Sequence, residues 1–298
     1  MPTFDLEKFI GPAFIVICIS FILYGLGLAQ VYFYFRTYHD HPAIKLLVIL
    51  VCILETLHVA FCIHMVYTYL IIDFADPGSV LNIIWSTGAS IFLEIIISGL
   101  VQSYYIYRIR CLCKSGYVFV YLISVVCARI AFGFRATAYG YPVTTWEAMS
   151  ALRSYKICVN VSLVFNVVAD SSITFVLIFY LHQSHVSARV RSTRNILYKL
   201  MYYSLSAGVL TTLTSVIALI LFHVSKTTIA FIGVLEVMTK VYANSMLAML
   251  NIRQGLKLER EIAVNNGLSL RLTDVSKQVI VQPDVRMLFT PSSNTSIY

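Results

Sequence analysis

Between Ile10 and Phe35 the chain carries no charged side chain. This run constrains the fold more than any other feature. A helix that is apolar all round needs lipid or the core of a large protein around it. About 20 such residues cross the roughly 30 Å of hydrocarbon in a bilayer. Comparable runs give seven segments, at about 10–36, 44–72, 85–109, 117–139, 156–181, 197–223 and 228–250. Composition agrees: 59% of the 298 residues are hydrophobic and 12% are charged, against about 45–50% and about 25% in soluble domains. Lipid offers the backbone no hydrogen-bond partners, so the spans are read as α-helices. The roughly ten-residue alternating strands of a membrane barrel are missing. The expected fold is therefore an all-α, seven-span helix bundle over 10–255.

Basic flanks set the expected topology. One set of span ends holds Arg36, Lys45, Arg108, Arg110, Lys114, Arg189, Arg191, Arg194 and Lys199; the opposite set holds Lys8, Arg153, Lys156 and Lys226. Nine against four places the N-terminus outside and the C-terminus in the cytoplasm. The plasma membrane is the compartment expected from that topology. Met1–Lys8 is short and carries Asp5 and Glu7, and the run after it is too long for a signal-peptide core. The first segment is thus expected to be retained. Tyr67, Tyr69, Trp85, Tyr139, Tyr141, Trp146 and Tyr155 lie near span ends, as interfacial aromatics do. Residues 256–298 read as a cytoplasmic tail, largely disordered beyond the short amphipathic stretch Leu256–Ile262. Asn160 and Asn294 head glycosylation triplets, one against the membrane and one in that tail, and neither is expected to be used.

The net charge of +8 gathers at span ends. It therefore points to anionic lipid, so the bilayer is the expected partner and nucleic acid is not. Five of the seven cysteines lie in apolar runs, where cysteine acts as a small hydrophobe. Cys111 and Cys113 follow the third segment and are candidate palmitoylation sites.

Ionisable groups inside spans cost about 2.5–3.5 kcal/mol each on insertion scales, so each needs a reason. They are Glu55 and His58 on the second segment, Glu94 on the third, Arg129 on the fourth, Asp170 on the fifth, and Glu236 and Lys240 on the seventh. Glu236, Lys240 and Asn244 follow at i, i+4 and i+8, with Asn251 close to the same face. A helix turns such a set into one stripe directed at the bundle interior. Depth counted at about 1.5 Å per residue puts Asp170 and Lys240 at similar levels, so an Asp170–Lys240 pair is geometrically allowed, with Glu236 as a competing partner. The set reads either as a ligand or ion site or as a polar lock that fixes helix packing.

Several chemistries lack their residues. His58 and His64 turn toward different faces, and His182, His185 and His223 lie at other depths, so no metal site is expected. No hydrolase elbow and no phosphate-cradling glycine loop occurs, and Tyr24-Gly25-Leu26-Gly27 reads as a close helix contact. Lys240 on a seventh helix invites comparison with retinal proteins, but the third segment offers Glu94 without their Arg, Asp and Trp set. No cofactor and no catalytic residue is expected.

Over about 10–255 the chain resembles the seven-helix membrane proteins of basidiomycete fungi that carry the domain of unknown function 6534. The resemblance is strongest in residues 165–254. It rests there on Ala169-Asp170, Lys199-Leu200, Gly208-Val209-Leu210-Thr211-Thr212 and the run from Lys240-Val241-Tyr242-Ala243-Asn244 to Leu250-Asn251-Ile252-Arg253. Weaker parallels are Tyr24-Gly25, Leu57-His58, Trp85-Ser86 and Tyr107-Arg108-Ile109, while Ser171-Ser172 departs toward the polar side. The resemblance implies fold and topology and brings no activity with it.

The expected function is a receptor-like signal transducer with a cytoplasmic signalling partner, for which Arg108, Arg110, Arg191 and Arg194 are the coupling candidates. The third segment ends Tyr107-Arg108-Ile109 without an Asp-Arg-Tyr triplet, and the seventh has no Asn-Pro-x-x-Tyr, so rhodopsin-like signatures are missing. The alternative is a transporter or channel with a midplane polar site. Polar residues lining a continuous path would favour transport, and a closed knot would favour the receptor.

Overall fold

The computed structural model describes residues 6–38, 40–73, 78–79, 82–113, 115–187, 191–224 and 231–252. Side chains at 6–10, 12–13, 187 and 191–197 lie outside the description, as does the tail expected at 256–298. The described residues belong to one compact unit, Met1–Gln254. They are mostly helical, with one isolated β-bridge between Asn82 and Thr145.

Helix α1 is Leu6–Thr37 and α2 is Pro42–Tyr67, which widens into a π-helical turn at Thr68–Ile72. Then follow α3 Trp85–Leu112, α4 Gly116–Gly140, the short α5 Trp146–Ala151, α6 Arg153–Ser187 and α7 Arg191–Val224. Residues 231–252 form α8. Local chemistry sets several starts. Pro42 occupies the first turn of α2, where its missing N–H is no loss, and the His41 ring accepts from Ala43 N. Thr145 caps α5 by accepting from Ala148 N, with Glu147 in the first turn.

The polarity of the bundle is inverted relative to a soluble protein. Ile22, Phe175 and Val120 are 73%, 72% and 65% exposed, whereas Lys240 and Glu236 are each 1% exposed. Apolar residues outside and charges inside are what lipid demands. Helices α1, α2, α3, α4, α6 and α7 are long and apolar enough to cross a membrane. The chain is a multi-pass helical membrane protein.

Helix α8 is different. It carries Glu236, Lys240 and Asn244 and is buried along nearly its whole length, with Ala248 its only exposed residue. It runs parallel to α1, because Asn244 meets Leu23 and Asn251, seven residues on, meets Gln30. It runs antiparallel to α2, because Glu236 meets Cys62 while Lys240 meets Glu55. Gly27 permits the first approach: a Cβ there would sit 3.3 Å from Asn244 Oδ1. Helices α6 and α7 are antiparallel, with Asn166 against Ser215 and Thr174 against Gly208.

At one end of the bundle the segments before α3 and before α5 are strapped together. Ile83 N donates to Thr144 O at 2.7 Å beside the Asn82–Thr145 bridge. Trp146 and Tyr155 are buried at 5% and 6% exposure, so these two aromatics line the interior instead of forming the interfacial belt expected of them. Trp85, Tyr67 and Tyr141 are exposed as expected.

Candidate functional site

The polar side chains of the interior fall into two separate clusters on opposite sides of α8. The first joins α8 to α2. Lys240 Nζ donates to Glu55 Oε2 and to His58 Nδ1, the latter at 3.0 Å, and lies 5.9 Å from the Tyr24 ring centre. One turn away, the Cys62 thiol donates to Glu236 Oε2, which lies 3.4 Å from His58 Nδ1. His58 and Cys62 share a face as i, i+4, and the same spacing separates Glu236 from Lys240, so the two helices meet along one seam. The expected stripe exists and continues toward α1. Asn244 Nδ2 donates to Leu23 O and Asn251 Nδ2 to Gln30 O, each at 2.9 Å.

The second cluster joins α3, α4, α6, α7 and the other face of α8. The Arg129 guanidinium donates to Glu94 Oε1 at 3.1 Å, to Ser98 Oγ, and to Gln102 Oε1 at 3.3 Å. The Gln102 amide then donates to Asn166 Oδ1 at 3.0 Å and to Asp170 Oδ1 at 2.9 Å. Asp170 Oδ2 accepts from Ser215 Oγ at 2.9 Å and from the Tyr242 hydroxyl. Asn166 Nδ2 donates to Ser215 Oγ at 2.9 Å and Tyr242 also reaches Asn166 Oδ1 at 3.2 Å, which closes the ring of bonds.

The Asp170–Lys240 pair that depth allows does not form. Equal depth is necessary for a pair but not sufficient. Tyr242 is two residues beyond Lys240, which turns it by roughly 200° around the helix. Tyr242 therefore faces Asp170 while Lys240 faces Glu55. Sequence reasoning found the charged members of both clusters and missed Ser98, Gln102, Asn166, Ser215, Tyr242 and Cys62, because uncharged polar residues are ordinary in helices. A signal existed. Glu94, Ser98 and Gln102 recur at i, i+4 and i+8, the pattern that exposed Glu236, Lys240 and Asn244. The departure at Ser171-Ser172 is absorbed locally: Ser171 Oγ returns to Val167 O at 2.7 Å, and Ser172 pairs with the Tyr121 hydroxyl at 3.2 Å.

Above the second cluster, toward the strapped end, lies a cavity of about 790 Å³. Its walls are apolar, built from residues such as Phe61, Phe92, Ala136, Leu235 and Met238. Glu94, Arg129 and Asn166, with Thr87, Thr137 and Ser162, are among the polar lining, and Ile83, Val143 and Thr144 of the strap line it as well. Both tryptophans of the chain, Trp85 and Trp146, line it. Close packing of α3 and α4 shapes the wall. Gly99 admits Ile130, and Gly133 admits Ile95, whose Cδ1 atoms would lie 3.0 and 3.1 Å from an added Cβ.

The coupling candidates lie at the other end of α3. Arg110 is exposed and stacks its guanidinium on Phe119, 5.4 Å from the ring centre. Arg108 is half-buried, with Nη1 enclosed and without a hydrogen-bond partner. The side chains of Arg191 and Arg194 lie outside the described residues. Of the two candidate palmitoylation sites, Cys111 is exposed, whereas Cys113 is buried and accepts from Ser115 N at 3.2 Å.

No curated protein and no solved structure matches the chain. The weaker parallels between residues 24 and 109 fall outside residues 166–255, the part of the chain that matches a family model and supplies Asn166, Asp170, Ser215 and all of α8. A DUF6534 domain, of a family of unknown function, is found at residues 166–255.

Proposed function

We propose that the protein is a seven-span, receptor-like signal transducer of the plasma membrane, with its N-terminus outside and residues 256–298 as a cytoplasmic tail. In this reading α8 is the seventh span, and a lipophilic small molecule is the stimulus. The observation that carries the proposal is the cavity. Its volume, about 790 Å³, falls in the roughly 300–1,000 Å³ range of small-molecule sites, and apolar walls with a few convergent polar groups are the usual composition. It sits at the end that the basic flanks assign to the outside. Its floor, the Glu94–Arg129 pair, continues through Gln102 into bonds that tie α6, α7 and α8 together. A ligand that moves Arg129 therefore acts on five helices at once. Such a shared element is what coupling between distant sites requires.

The two clusters bear on the alternative. Among the described residues, Glu55 pairs with Lys240 on one side, Asp170 accepts from Gln102, Ser215 and Tyr242 on the other, and helix α8 lies between them. They do not share one polar path, which favours transduction over transport.

The test uses full-length protein in nanodiscs, in a Cys127→Ser background with a polarity-sensitive dye on Cys111. Long-chain alcohols and steroid ketones serve as probes. Binding changes the fluorescence of Trp85 and Trp146, and transduction changes the dye at the far end of α3. Tryptophan quenching without a dye response would refute the receptor reading, and probe flux across sealed vesicles would establish the transporter instead.

A further inference from the structure

We propose that His58, Cys62 and Glu236 form a binding site for a single transition-metal ion of the zinc class. This inference is independent of the cavity. It starts from helix geometry: an i, i+4 pair on α2 presents an imidazole and a thiol side by side, and α8 brings a carboxylate against them. Nδ1, Sγ and a carboxylate oxygen all lie within 4.8 Å of one another. The Nδ1–Oε2 and Nδ1–Sγ separations are 3.4 and 3.6 Å. A tetrahedral ion with bonds of about 2.0–2.3 Å has ligand–ligand edges of about 3.3–3.6 Å, so these two edges are already in place. The third edge, Cys62 to Glu236, is bridged by the thiol proton and opens when an ion replaces that proton.

Charge balance argues the same way. The cluster holds two carboxylates, Glu55 and Glu236, against one fixed cation, Lys240, all buried. With both carboxylates ionised, His58 neutral and Cys62 a thiol, one negative charge is left over, which a proton or a bound cation must neutralise. A divalent cation bound with loss of the thiol proton to the solvent brings the sum to zero. Lys240 keeps Glu55 and gives up only its bond to His58 Nδ1, which becomes a metal ligand. Ser90 is fully buried and its hydroxyl stands beside the Cys62 sulfur. Sulfur, nitrogen and one carboxylate select zinc, cobalt or nickel over magnesium or calcium, which take all-oxygen sets.

The test is a Co2+ titration of the full-length protein in mild detergent, in a Cys111→Ala/Cys127→Ala background that removes the exposed thiols. Thiolate-to-cobalt absorption should appear together with tetrahedral visible bands, saturate at one ion per chain, and be displaced by Zn2+. Cys62→Ala should abolish the thiolate band, and Glu236→Gln should weaken binding about tenfold or more. Cys62→Ser, which keeps a hydroxyl donor to Glu236, guards against a folding artefact: it should elute as the parent does and lack the thiolate band. No thiolate band in the background protein, or the same band in Cys62→Ala, overturns the proposal and leaves the three residues as a hydrogen-bonded lock.

Discussion

Replacing Lys240 by Met keeps the length of the side chain and deletes its charge. Glu55 then loses its cationic partner while staying 5% exposed, and among the described residues its Oε1 has no hydrogen-bond partner even in the parent. Stranding one member of a buried ion pair typically costs about 3–5 kcal/mol. Two features pull the cost toward the lower figure. Unfolded helices in a micelle find other partners for polar groups, which reduces membrane hydrogen-bond energies to about 0.6 kcal/mol on average. The stranded carboxylate can also take up a proton, with His58 alongside. We therefore expect Lys240→Met to lose about 3 kcal/mol. Removing both charges is a different perturbation, because a well-packed neutral pair often matches or exceeds a buried ion pair. Lys240→Met/Glu55→Gln should return to within about 1 kcal/mol of the parent. The assay is reversible unfolding by SDS in mixed micelles, followed by circular dichroism for parent, singles and double, so that the cycle isolates the coupling. A loss below about 1 kcal/mol in Lys240→Met, or a double mutant no more stable than that single, would refute the idea that Lys240 is there to neutralise Glu55.

Gly208→Ala should destabilise by about 1–3 kcal/mol in the same assay, since its new Cβ would lie 2.8 Å from Thr174 Cβ on α6. Gly25→Ala, with nothing within 4 Å of the new Cβ, should instead be neutral or gain up to about 1 kcal/mol from helix propensity. Tyr242→Phe removes one donor from Asp170 and should cost about 0.6–1.7 kcal/mol, whereas Asp170→Leu strands Gln102, Ser215 and Tyr242 together and should cost clearly more by SDS titration. Ala136→Phe places a ring in the cavity and should abolish probe-induced changes in tryptophan fluorescence while leaving helicity unchanged; a retained response would place probe binding elsewhere.

The helices themselves were written in the sequence. Among the described residues each of the seven apolar runs falls on a helix, and six of those helices are long and apolar enough to span, because in lipid the backbone must close its own hydrogen bonds. The stripe at Glu236, Lys240 and Asn244 was legible for a related reason: charge in a span is costly and helical spacing gives its face. Partner choice was not legible. Depth placed Asp170 and Lys240 at one level, but the angle between positions 240 and 242 on α8 decided that they face away from each other, and only the packed bundle fixes that angle. The cavity was equally hidden. It depends on a strap between two loops, at Ile83 and Thr144, and on where Gly99 and Gly133 let α3 and α4 close up. These are contacts between residues far apart in the chain. No local pattern encodes them, because the free energy that selects them belongs to the assembled interior.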